Sequence, residues 1–231
     1  MGSSNIKILA YEPTPLGFLC LRRRALLSDP NTVVTEITLD HEFLMSSENT
    51  TSERELAKRA LAMREEVDLK VLVGGLGLGY TAQEVLTSKR VACVEVVELL
   101  PQVIDWFKDG LFPLAETLKA DARLSVREGD IFKLLSRPPD RKFDLILIDV
   151  DHAPDEHLAD SNSLLYTASG LHSAKAHLGP QGVLAVWSYA DSAPFTAALK
   201  AVFTEVRVEP VSFQNRLKSE TITDWLFFAQ G

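Results

Sequence analysis

The chain has 231 residues, 46% hydrophobic and 24% charged, with a formal net charge of −8 at pH 7. These proportions suit a globular protein with one main core and a small appendage, and the acidic balance argues against a nucleic-acid partner, whose phosphates are met by lysine and arginine. No apolar stretch reaches the roughly 18 residues that span a bilayer, no basic-then-apolar leader opens the chain, and Cys20 and Cys93 sit in apolar, strand-like runs that predict buried free thiols. A cytoplasmic protein with no membrane partner is expected.

Residues 1–50 read as a small antiparallel β unit, with strands at 6–11, 18–24 and 32–39 divided by turns rich in proline, glycine and asparagine. Residue 51 begins a second unit that runs to 231. Its first segment, Thr51 to Val67, has a helical pattern, with Ser52 as N-cap and Glu55 as the other half of a capping box. Short apolar runs then alternate with helical stretches: KVLVGG, VACVEVVE, RLSVREG, FDLILID and GVLAVWS are each followed by a helix. Buried parallel strands covered by helices on both faces require this pattern, so the fold class is α/β. The last two apolar runs, EVRVEPV and ITDWLFFAQ, have only a polar loop between them and predict an antiparallel hairpin closing the sheet.

In an open parallel sheet, ligands bind beyond the carboxyl ends of the strands. The first such end carries Gly75, Gly77 and Gly79 directly before a helix, where glycine lets the backbone pass close beneath a ligand. The next strand ends in Glu98, 23 residues after Gly75, suitably placed for an acid that accepts both hydroxyls of a ribose; Glu95 is the competing acid. Leu99 follows it. The third strand ends at Asp130, which either caps a short helix or accepts the amino group of an adenine while Ile131 packs on the ring. The fourth ends in LILIDVDHAPDEH, with Asp149, Asp151 and His152 at the ligand edge. A general base at Asp149 or His152, a metal site of Asp149, Asp151 and His152, and solvated loop charges all remain open on these residues alone.

Taken in order, VLVGGLGLGYT, VVELLPQVI, EGDIFKLL and FDLILIDVDHAP resemble the glycine motif, ribose strand, adenine segment and catalytic loop of the spermidine synthase-like branch of class I S-adenosylmethionine-dependent methyltransferase-fold proteins. The resemblance implies a Rossmann-like, seven-stranded, mostly parallel sheet. It also implies Gly75, Gly77, Gly79, Glu98, Leu99, Asp130, Ile131 and Asp149 as cofactor contacts, and Asp149, His152 and Asp151 as catalytic residues. S-adenosylmethionine or its decarboxylated form is the expected cofactor, with no metal, a small-molecule acceptor and a homodimeric state.

The chain departs from the family where the family binds polyamines. Leu78 stands in place of an acid, His152 in place of a second aspartate, Glu53-Arg54-Glu55 in place of Tyr-His-Glu, and Trp187 in place of a glutamine. The expected activity is therefore methyl transfer to N or O of a small molecule. Aminopropyl transfer from decarboxylated S-adenosylmethionine is the alternative, and non-catalytic nucleoside or thioether binding is a third.

Overall fold

A computed structural model of the chain describes residues 6–26, 29–150, 154, 164–215 and 220–231. Two sheets organise it. The smaller is an antiparallel meander of β1 (Ile6–Thr14), β2 (Gly17–Ala25), β3 (Val33–Leu39) and β4 (Glu42–Ser46). The sequence predicts three of these strands. It misses β4, which follows β3 through Asp40 and His41, both at positive φ. Neither is the glycine or proline by which a turn is usually read.

The larger sheet contains β5 (Leu69–Gly74), β6 (Val91–Glu98), β7 (Leu124–Glu128), β8 (Phe143–Ile148), β9 (Leu178–Ser188), β10 (Glu205–Asn215) and β11 (Glu220–Gln230). Their spatial order is β10-β11-β9-β8-β5-β6-β7. The β7–β6–β5–β8–β9 pairs are parallel, and β11 runs antiparallel to both β9 and β10. The expected Rossmann-like sheet of seven mostly parallel strands, closed by a C-terminal hairpin, is therefore present. The Val/Ile/Leu runs of its central strands are buried on both faces. One face packs with α1 (Thr51–Ala62), α2 (Tyr80–Thr87), α3 (Pro101–Lys108) and α4 (Ala115–Lys119). The other packs with α5 (Ile131–Leu135), α6 (Ala168–Ala176) and α7 (Ala193–Val202). Leu19, Leu21, Ile37 and Leu39 of the small sheet join the first of these cores, so the N-terminal strands lie against the ligand end of the large sheet.

Local details depart from the sequence reading for tertiary reasons. Helix α1 stops at Ala62 rather than Val67, because Arg90 donates to the carbonyls of Leu61 (2.9 Å) and Arg64 and so caps its C-terminus from a distant loop. Ser52 is buried inside α1 rather than capping it; the N-cap is Thr50, and Glu55 pairs with Lys58 and Arg59. Cys20 is buried as expected but Cys93 is exposed, near the start of β6. Among the described residues no helix is long and apolar enough to cross a membrane.

Candidate active site

β5 and β8 are neighbours, while the chain leaves β5 toward β6 on the other side. This reversal opens a crevice at the carboxyl edge of the sheet. Gly75, Gly77 and Gly79 cross it at φ of +95°, +51° and +88°, a region that side chains resist. A Cβ on Gly75 would overlap the carbonyl oxygen of Asp149, and one on Gly77 would lie 2.6 Å from Cε of Met45. The glycine pattern is thus fixed by backbone contact with β8 and by the small sheet resting on the loop.

Glu98 braces this loop. Its Oε2 accepts the N–H of Leu76 at 2.8 Å and its Oε1 the N–H of Leu100 at 2.9 Å, joining the glycine loop to the start of α3. Burial raises its pKa while these backbone donors oppose the rise. Each oxygen keeps lone-pair capacity, so ribose hydroxyls would share a carboxylate that already holds the loop. Glu95 is accounted for elsewhere: it is buried on β6, accepts from Arg127 Nε at 2.6 Å and pairs with Arg141.

Asp130 caps α5, with Oδ1 accepting from Phe132 N (2.9 Å) and Lys133 N (3.1 Å), and it also faces the crevice. Ile131 packs beneath Gly74, where an added Cβ would come within 2.7 Å of its Cγ1. Leu99 sits at the rim, half exposed. Gly75, Gly77, Glu98, Leu99, Asp130, Ile131 and Asp149 all line one cavity of about 150 Å³.

A second cavity of about 60 Å³ adjoins it, sharing Gly77, Met45, Asp149 and Val150, and adds Gly79, Tyr80, Glu53 and Trp187. Asp149 is the junction between the two. Its backbone N–H extends the β5–β8 ladder to Gly74 O (2.9 Å), and Thr81 Oγ1, in the first turn of α2, donates to its Oδ2. Burial pushes the Asp149 carboxyl up to about 6, Thr81 restrains it, and the charge of Asp224 adds to the rise. Burial and then the charge of Asp149 push Glu53 up to about 8, against a 3.3 Å hydrogen bond from Ser52 Oγ. Burial likewise raises Asp224 on β11, whose Oδ2 accepts Trp187 Nε1 at 3.2 Å.

Among the described residues no lysine or arginine pairs with any of these three carboxyls. Nor do they converge into a group able to hold a metal ion. Asp151 and His152 lie outside the described residues. The sequence reading overlooked Asp224, a lone acid within the apolar strand ITDWLFF, and took Glu53 only as a lost tyrosine.

Comparison with known proteins fits this geometry. The spermine/spermidine synthase domain profile matches residues 53–213. Polyamine aminopropyltransferase 2 of Pseudomonas aeruginosa is 26% identical over 214 residues, covering 88% of this chain and 60% of the relative. Polyamine aminopropyltransferase 2 of Streptomyces coelicolor is 32% identical over 137 residues, 58% of this chain and 23% of the relative. The chain thus spans less than two thirds of the length of these relatives.

Among solved structures, a spermidine synthase in complex with the transition-state analogue AdoDATO superposes with a TM-score of 0.76 at 20% identity, covering 96% of this chain and 73% of that one. Human methyltransferase-like protein 13 in complex with SAH gives 0.57 at 22%, covering 78% and 82%, and shares the fold alone. The expectation of a methyltransferase is corrected by these findings: both the profile and the curated relatives carry aminopropyltransferase or spermidine synthase names. The error lay in counting acids by sequence position, when Glu53 lines the small cavity from α1 and the charge of Asp224 on β11 acts on both Glu53 and Asp149. By a match over more than half of its length, this chain belongs to the spermine/spermidine synthase family.

Proposed function

We propose that the protein transfers an aminopropyl group from decarboxylated S-adenosylmethionine to an amine. The observation that carries this reading is the meeting of two cavities at Asp149, one with the features of a nucleoside site and the other walled by the carboxyls of Glu53 and Asp149, which pair with no lysine or arginine among the described residues. In the larger cavity the glycine loop admits the donor's ribose, Glu98 shares its oxygens with the ribose hydroxyls, and Asp130 and Ile131 face the adenine. The propyl arm then points toward Asp149, past Gly77.

In the smaller cavity an ammonium group of the acceptor must shed a proton before its nitrogen can attack. Asp149, raised to about 6 and still mostly ionised at neutral pH, takes that proton. The freed nitrogen lone pair forms the new N–C bond, and the C–S⁺ pair returns to sulfur. Methylthioadenosine leaves neutral and the product nitrogen is a secondary ammonium. Little covalent work falls to the protein; positioning supplies the rate. A carboxylated donor would bring a negative group toward the ionised Asp149, so S-adenosylmethionine is disfavoured on electrostatic grounds.

Incubation with decarboxylated S-adenosylmethionine and 1,4-diaminobutane should release methylthioadenosine and spermidine in equal amounts, measured by mass spectrometry. Absence of both products across a panel of primary amines would overturn the assignment.

A further inference from the structure

We infer that Glu53 selects the acceptor: its carboxyl group is the counter-charge for an ammonium group of an aliphatic amine bound in the small cavity beside Asp149. This inference rests on the aminopropyl-transfer reading and adds a specificity residue to it. Glu53 reaches the cavity from α1, which otherwise packs against the sheet through Leu56, Ala57, Ala60 and Leu61. Its neighbour Arg54 is the obvious internal partner, yet it turns away. Arg54 Nη1 donates to Gln83 Oε1 (2.7 Å) and Glu84 Oε2 (3.1 Å), Nε donates to Thr50 Oγ1 (3.1 Å), and the guanidinium lies over the Tyr80 ring.

Among the described residues every other group facing Glu53 is neutral or negative: Ser52 on its own helix, Tyr80 from α2, Asp149 after β8 and Asp224 from β11. Three carboxyls thus act on one another in a low-dielectric space with no lysine or arginine paired to them among the described residues, and a ligand's ammonium group supplies the positive charge. Because among the described residues the carboxyls do not form a chelating group, an organic ammonium suits them better than a metal ion. Leu44, Met45, Leu78 and Trp187 complete the wall and suit the methylene chain of an aliphatic amine.

A proton is displaced when that cation enters. In the empty site Glu53 holds its proton because burial, and then the charge of Asp149 beside it, push its carboxyl up to about 8. An arriving ammonium favours the ionised form, so the Glu53 proton leaves to solvent as the amine binds. Calorimetric titration of 1,4-diaminobutane into the protein saturated with methylthioadenosine, in phosphate and in Tris at pH 7, should show a buffer-dependent heat that reports this release. Glu53→Gln should abolish the buffer dependence and raise KM for the amine by about tenfold or more, the lower end of what a hydrogen bond to a charged group supplies. Its kcat should stay within a few fold and its methylthioadenosine affinity close to wild type, and Glu53→Asp should recover part of the loss.

Identical heats for wild type in the two buffers, or an unchanged KM in Glu53→Gln, would overturn the role of Glu53 while the transfer reaction stands. Buffer-dependent amine binding in a wild type that makes no product would overturn the reaction and leave the amine site in place.

Discussion

Replacing Asp149 by asparagine should make the protein more stable and less active, and the pH dependence of the gain identifies the cause. The carboxyl has an ordinary pKa of 3.8 and is pushed up to about 6 in the fold. For an acid raised in this way, folding favours the protonated form. Below pH 4 both states are protonated and there is no penalty, whereas above pH 6 the folded state carries the full cost of a buried charge. At 1.36 kcal/mol per pKa unit that cost is about 3 kcal/mol; because Asp149 opens onto a cavity, about 2 kcal/mol is a better expectation. Thr81 can still donate to the asparagine oxygen, so the local bond survives.

For a chain of this length, about 2 kcal/mol corresponds to a Tm rise of roughly 4–8 °C at pH 7.5. The rise should shrink between pH 6 and pH 4. Circular dichroism melts of both proteins across that range are the assay, with methylthioadenosine production measured at pH 7.5 in parallel. Turnover should fall by two orders of magnitude or more, since general-base catalysis contributes about 10² to 10⁴, while methylthioadenosine affinity stays within a few fold. A gain independent of pH, or a variant less stable at every pH, would refute the buried-charge argument.

Other outcomes follow from the same geometry. Glu98→Gln retains one acceptor for the loop and loses the other, so it should lower methylthioadenosine affinity and cost about 1–3 kcal/mol of stability, read by calorimetry and urea melts. Glu95→Gln should leave nucleoside affinity unchanged and cost about 1 kcal/mol, because Arg127 and Arg141 are half exposed. Gly75→Ala combines a left-handed backbone with overlap onto Asp149 O; it should abolish nucleoside binding and lower Tm by several degrees, and wild-type affinity in that variant would show that the loop relaxes freely.

The large sheet was legible because its strands carry continuous Val/Ile/Leu runs whose burial on two faces leaves few other readings. The residues that the large sheet contributes to the larger cavity were equally legible, because Gly75, Glu98, Asp130 and Asp149 follow or close strands that the alternation of runs locates within a residue or two. What escaped was built by contacts between distant segments. Arg90 ending α1, Met45 closing over Gly77 and Asp224 entering the carboxyl group from the last strand have no local signature. The misread acceptor half follows from that: a cavity conserves charge in space, and different elements can supply it.

Met45 has a consequence for the order of events at the site. Its unbranched thioether borders both cavities and touches the loop between them. A methionine adapts its shape at low cost, so a molecule seated in the larger compartment redraws the wall of the smaller one. On the proposed reaction, acceptor size is then set jointly by the small cavity and by whatever already occupies its neighbour, and the N-terminal meander, resting on the glycine loop, becomes the part of the fold that lets the two occupants sense each other.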